Sequence, residues 1–460
     1  MMITRDLVPY ARHFREYTEL RVQENRTTRI FFINGKMVQN SRSALSGVSA
    51  RVNISGSWGF ASNPTMSPEI VKQVIQAATE NAHFLESREK IKKKLFPANS
   101  ATADYHFSTS KEPRTHQELI AFVEEIDDHI QQQYPRLSSR TVGLGCLDME
   151  KSLLTSEKSQ AYSLLPRTSL IINLVVEKNG EPFELYDVIE GHFQFEDSFP
   201  DLDHIYQGIR AQYDHLLHKA EGIHPQAGFQ ECILDAQLTG TLAHEAIGHT
   251  TEADHVLAGS IAGYNLDKEV ASPMVTLVDF AHTAQQKLCP MPIFVDDEGT
   301  KAEDVVIIER GILKSFLHNK ESAQHFQAQP TGNARAFRFS DEPLIRMRNT
   351  ALLAGKHKLE EMISSIDQGY YLMKSGNGQA DTTSEFMFGV VLGYEISKGK
   401  IGRALRDTTI SGVAFDILKT VSMVSDDMIW QNSGMCGKKQ PLPVGMGGPA
   451  IKCSINVAGR

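Results

Sequence analysis

Residues 235–249 read Asp-Ala-Gln-Leu-Thr-Gly-Thr-Leu-Ala-His-Glu-Ala-Ile-Gly-His, and the spacing of the two histidines constrains the local fold more tightly than any other segment. Apolar periodicity, with Asp235 as cap, predicts a helix over 236–248. At about 100° per residue, side chains five apart on a regular helix diverge by roughly 140°. His244 and His249 would then face apart. They meet only if the helix ends, kinks or bulges between them, and Gly248 is the residue expected to permit that break. Two imidazoles beside a carboxylate are what a hydrolytic zinc site requires, with the histidines on the metal and Glu245 as general base on zinc-bound water. A third ligand is needed. Glu252, Asp254 and His255 lie nearby in sequence, and Cys436 and the other cysteines lie further off. Cys436 is flanked by Gly434 and Gly437, in a loop whose backbone can approach a site closely.

Other polar clusters carry weaker signals. Asn333 and Arg335 follow a Thr-Gly turn and are candidate contacts for a substrate. Asp296, Asp297 and Glu298 resemble an acidic metal cluster, but Gly299 directly after them points to a turn between strands. Trp58 reads as core.

Composition narrows the class. The chain has 460 residues with 41% hydrophobic and 22% charged, which excludes a disordered or fibrous protein. Lys+Arg 47 against Asp+Glu 56 leaves a formal charge of -9, which disfavours a nucleic-acid or anionic-membrane binder. The densest basic run, Lys90 with Lys92, Lys93 and Lys94, is short and sits in a helical-looking stretch. Leu170–Val176, broken by Asn173, is the longest apolar run and falls far below the roughly 20 residues of a membrane span. Residues 1–15 carry no apolar signal core, and five cysteines without paired spacing are no disulfide framework, so a reducing cytoplasm is expected.

The pattern of elements predicts an α+β fold. Asn34-Gly35 between Ile30–Ile33 and Lys36–Val38 is a hairpin signal, and Val48, Ala50, Val52 and Ile54 alternate as a half-buried strand. Ser67 with Pro68 opens one helix, and Thr115 with Glu118 forms a capping box for another. The polar 98–110 stretch reads as loop. Strands are expected at 169–177 and 184–190, and a helix at 202–217. A boundary is placed in the glycine- and proline-bearing 221–229 stretch, giving domains 1–225 and 226–460. In the second, strands are expected at 293–295, 305–308, 312–317 and 386–394, with a hairpin at Lys398-Gly399. Helices are expected at 357–367 and 414–424.

Six motifs in order resemble the TldD/PmbA family of metallopeptidases. They are His244-Glu-Ala-Ile-Gly-His249, Val295-Asp-Asp-Glu-Gly-Thr300, Gly311-Ile-Leu-Lys314, Pro330-Thr-Gly-Asn333 with Arg335, Arg346-x-x-Asn-Thr350, and Met435-Cys-Gly-Lys438 with Leu442-Pro-Val-Gly445. The resemblance implies a mixed N-terminal domain joined to a strand-rich C-terminal domain with a strongly curved sheet. It implies zinc on His244, His249 and Cys436, with Glu245 as base. It also implies a peptidase acting on unfolded or short peptides, including leaders of modified precursors, and a homologous metal-lacking subunit (TldE, or PmbA) or a second copy as partner. Two other readings stand beside it: a metal-dependent enzyme acting on a non-peptide metabolite, and a regulatory subunit with a vestigial site. Thr250-Thr251-Glu252, where Gly-Leu-Glu is usual, and an unusual 337–342 segment depart from the family pattern and bear on substrate and partner.

Overall fold

The computed structural model describes residues 6–89, 100–191, 193–199 and 201–459; the lysine run at 90–94 and the start of the 98–110 stretch lie outside them. The fold is α+β, as the segregation of strand and helix patterns predicted.

The N-terminal half is a seven-stranded sheet of long strands: β1 (Tyr17–Ile33), β2 (Lys36–Ile54), β3 (Ser57–Asn63), β4 (Thr102–His106), β5 (Ser139–Thr155), β6 (Gln160–Lys178) and β7 (Glu181–Glu190). Their order is β3-β2-β1-β5-β6-β4, with β7 also on β6. Asn34 and Gly35 take positive φ (48° and 79°), the conformation that makes this dipeptide a tight hairpin turn. Helix Pro68–Glu86, capped by Ser67, buries Val71, Val74, Ile75 and Ala78 against Val48, Ala50 and Val52 of β2. Helix His116–Gln133 carries the Thr115/Glu118 capping box, and with Asp203–Ala220 it covers the rest of the sheet.

After residues 221–227 the chain enters a five-stranded closed barrel. Strand Gly228–Leu234 lies between Gln368–Ala380 and Ile451–Val457. Thr408–Val413 and Glu385–Ser397 follow, and the last pairs back onto Gln368–Ala380. The strongly curved sheet implied by the family resemblance is this barrel. A second, six-stranded sheet includes Leu277–Phe280, Asn349–Leu352 and Gly445–Gly448. Between barrel and sheet runs the helical segment that starts at Ala236, burying Leu238, Leu242, Ala246 and Ile247.

Several local expectations differ from the fold. Thr102–His106, inside the stretch read as loop, is a strand parallel to residues 160–164 of β6. Residues 293–295 form no strand: the Ile293 N–H bonds the Ala281 carbonyl, the Phe294 carbonyl accepts the Ala302 N–H, and Val295 makes only an isolated bridge to Lys301. The 312–317 strand shortens to Ile312–Leu313, and the helix at 414–424 ends at Lys419, followed by a short strand at Met423–Val424.

Candidate metal centre

The Asp235 carboxylate accepts the Leu238 amide at 2.7 Å and opens a regular helix over Ala236–Leu242. From Ala243 to Gly248 the helix widens into a π-turn, in which the His249 N–H bonds the His244 carbonyl. An i→i+5 bond closes each turn with one extra residue, so side chains five apart take the near-eclipsed relation that four apart have in an α-helix. That resolves the spacing problem by a bulge. Gly248 is not a break: its φ and ψ are helical (−56°, −50°). Its lack of a side chain matters because a Cβ there would overlap the Met347 sulfur.

The π-turn brings the His244 and His249 rings to 5.1 Å between centroids. Cys436 arrives on a short hairpin, Met435–Cys436 paired with Leu442–Pro443, and its Sγ stands 3.2 Å from His249 Nε2. One donor atom from each of His244, His249 and Cys436 falls within 4.8 Å of the others. His244 is fully buried and neither ring nitrogen has a hydrogen-bond partner. Such orphaned buried nitrogens are costly unless something fills the space before them. Burial pushes the Cys436 thiol up, but the charges of His244 and His249 outweigh it and bring the pKa down to about 3. Burial pulls His249 down, and the facing Glu252 and Cys436 outweigh that and raise it well above the usual range. A thiolate and two imidazoles, whose protons a bound cation would displace, are a donor set that fits a zinc ion. Glu245 points its carboxylate to the same place, with Oε2 3.8 Å from His249 Nε2, and is the more open of the two, its side chain 36% exposed.

The other nearby candidates lie behind His249. Glu252, fully buried, accepts His249 Nδ1 at 2.9 Å and Lys438 Nζ at 3.1 Å. Lys438 also reaches Asp254 at 2.8 Å, and His255 Nδ1 meets the His249 carbonyl at 2.9 Å. Glu252, His255 and His249 make a second group of donor atoms within 4.8 Å, but its carboxylate is engaged by Lys438 and sits at Nδ1, away from Cys436. Arg346, fully buried, clamps the Cys436 hairpin through the carbonyls of Cys436 (2.6 Å), Lys438 (3.0 Å) and Gln440 (2.9 Å). Lys438 and Arg346 stood in the sequence motifs without an assigned role. The signal for Lys438 was its position two residues after the cysteine.

Asn333 and Arg335 are not at an open surface. The Asn333 amide donates to Asp279 (2.8 Å) and to the Arg346 carbonyl (3.0 Å). Arg335 donates to the carbonyls of Met347 (2.6 Å) and Pro443 (2.9 Å). Both are buried and their side chains are bonded internally, which braces the segments they join. The acidic run is the turn its glycine suggested, with Gly299 at φ 77°. Asp296 accepts the amides of Glu298, Thr300 and Ala334, Asp297 pairs with Lys151 (2.7 Å), and Glu298 pairs with Arg51 (2.6 Å). Trp58 lies under the Arg51 guanidinium at 3.6 Å.

Known proteins share this arrangement of sequence. The profile of the PmbA/TldA metallopeptidase C-terminal domain matches residues 228–459, and that of domain 1 matches residues 18–82. The chain belongs to the TldD/PmbA family. A metalloprotease of Methanocaldococcus jannaschii is 31% identical, covering 96% of this chain and 97% of the relative. A protein of Saccharolobus solfataricus named as a zinc metalloprotease TldD homolog is 27% identical over 88% of both. The crystal structure of TldE from Thermococcus kodakarensis superposes with a TM-score of 0.76 at 17% identity, over 98% of this chain and 99% of that one, and shares the fold. Among the described residues no helix is long and apolar enough to cross a membrane.

Proposed function

We propose that the protein is a zinc-dependent peptidase acting on unfolded or short peptides, such as the leader of a modified precursor. His244, His249 and Cys436 hold the ion and Glu245 is the general base. The observation that carries this reading is the fully buried His244 with two unpartnered nitrogens, beside a thiolate and a second imidazole. When bound, zinc polarises the peptide carbonyl and acidifies the attacking water. Glu245 takes the proton from that water and delivers it to the leaving amine. Glu252 orients His249 through Nδ1, and Lys438 holds Glu252 in turn. The names of the archaeal relatives support the metal and the reaction class.

The limits 1–225 and 226–460 mark a division of labour, with the metal ligands all in the second part. The partner is a homologous metal-lacking subunit of the TldE/PmbA type or a second copy, a reading that rests on family membership and is checked by light scattering of the protein alone and mixed with such a subunit. A reducing cytoplasm suits a chain whose five cysteines are all free and whose Cys436 must be a thiolate.

The test pairs metal analysis with mass spectrometry of unstructured peptides after incubation. Glu245→Gln keeps its zinc and loses about 10²–10⁴-fold in rate, whereas Cys436→Ser loses zinc. Full activity in Glu245→Gln removes this residue from the mechanism, and full zinc in Cys436→Ser moves the third ligand elsewhere.

A further inference from the structure

The short strand that delivers Cys436 has a second face. Met435 and Cys436 are consecutive, so their side chains leave it on opposite sides. Cys436 turns to His249, while Met435, 50% exposed, lines a cleft of about 380 Å³ between the 433–435 loop and strands β1, β5, β6 and β7. That volume is in the range of small-ligand sites. Its walls combine the rings of Phe31, Tyr186 and Phe337 with the guanidinium groups of Arg29 and Arg167. Among the described residues no carboxylate lines it. In a chain of net charge -9 this is a local excess of positive charge.

Arg167 is the unusual member. It is 8% exposed, its Nη1 donates to the Gly434 carbonyl at 3.0 Å and lies 3.6 Å from the Met435 sulfur, and its Nη2, itself buried, has no hydrogen-bond partner. Glu190 is the carboxylate whose charge it feels, but the Glu190 oxygens are taken by the amides of Asn432 and Ser433 and by the Ser433 hydroxyl. A buried guanidinium with an unmade bond is costly until an anion meets it, and a carboxylate matches its fork.

We propose that this cleft binds the C-terminal carboxylate of a peptide ending in an apolar or aromatic residue. The inference rests on the peptidase reading above and names one end of its substrate. Arg167 meets the carboxylate, exposed Arg29 adds charge at the mouth, and the rings with Met435 receive the terminal side chain. Because Arg167 also holds Gly434, the same side chain braces the loop two residues before the thiolate.

The test is equilibrium binding of a labelled unstructured peptide ending in Phe to the zinc-loaded Glu245→Gln protein, with the peptide as free acid and as C-terminal amide. The free acid binds at least about tenfold tighter, the scale of one charge-assisted hydrogen bond. Arg167→Gln and, separately, Arg29→Gln reduce that preference, and zinc content measured in parallel separates lost recognition from a disturbed Cys436 loop. Equal binding of acid and amide, or a preference that survives both substitutions, overturns the proposal. N-acetylphenylalanine binding as tightly as the peptide overturns the peptide assignment in favour of a small aromatic acid. Since binding to Glu245→Gln needs no turnover, an acid preference in a protein that hydrolyses no peptide supports the cleft and counts against the peptidase reading alone.

Discussion

Glu252 has no exposed surface, and its carboxylate stands between the ring of His249 and the ammonium of Lys438. Lys438 lies two residues from Cys436, so this ion pair ties the helix bearing two of the proposed ligands to the hairpin bearing the third. Glu252→Gln is expected to weaken zinc binding by about 10–100-fold, read by competition with a chelator, because the ring of His249 loses its orienting acceptor. An unchanged affinity would make the pair a structural tie only. His244, Glu245 and His249 stand out in the sequence because two imidazoles beside a carboxylate have few other uses, whereas Cys436 lies 187 residues from His249 and only the family resemblance singles it out among the candidates for third ligand. The internal bonds of Asn333 and Arg335 were not legible in the sequence, for a physical reason. A polar side chain after a turn looks the same in sequence whether its partner is a substrate or a carbonyl folded onto it from elsewhere, here those of Arg346, Met347 and Pro443. Arg335 substitutions are therefore expected to lower the melting temperature without raising KM for a peptide.

At the scale of elements, the π-turn at Ala243–Gly248 is the feature on which the site depends. The sequence posed the problem, since five-residue spacing does not suit an α-helix, but it pointed to glycine flexibility where the answer was glycine size. Gly248→Ala is expected to cost roughly 1–3 kcal/mol in urea unfolding through overlap with Met347, and to reduce zinc content by moving His249. Stability equal to that of the native protein would show that the packing yields more than its geometry suggests. Elements with paired local signals were legible: the Asn34-Gly35 hairpin, the Ser67 cap and the Thr115/Glu118 box all appear as read. Thr102–His106 was not, because its pairing with β6 is parallel and distant in sequence and three of its five side chains are exposed. Residues 293–295 misled in the opposite sense. They are an apolar run whose backbone bonds go to Ala281, Ala302 and Lys301 without forming a continuous ladder.

For the molecule as a whole, the two halves are joined by buried charge. Arg51 of β2 meets Glu298 at 2.6 Å, Lys151 of β5 meets Asp297 at 2.7 Å, and Gln23 and Asn25 of β1 both donate to the Phe337 carbonyl at 2.6 Å. The 337–342 segment that departs from the family pattern is thus the strap along which the second half lies on β1. Arg51→Ala leaves Glu298 buried and unpaired by its guanidinium, and is expected to destabilise by about 3–5 kcal/mol. The same network sets a pH dependence. Burial above all, with Glu298 adding to it against the opposing Arg51, raises the Glu19 carboxyl from 4.5 to about 7. A raised folded-state pKa favours the protonated form in the native protein. Its stabilisation is therefore present below about pH 4.5 and lost as pH rises through about 7. Thermal unfolding across that window should show a decline that Glu19→Gln flattens; an unaltered slope would assign the decline to other groups.

The central claim is that a π-turn and a distant hairpin together make a two-histidine, one-thiolate zinc site. X-ray absorption at the zinc edge of the purified protein tests it most directly. The expected result is stoichiometric zinc with one sulfur at about 2.3 Å and two imidazole nitrogens at about 2.0–2.1 Å, the sulfur contribution vanishing in Cys436→Ser. A zinc shell with no sulfur, or native protein that binds no zinc, would contradict it.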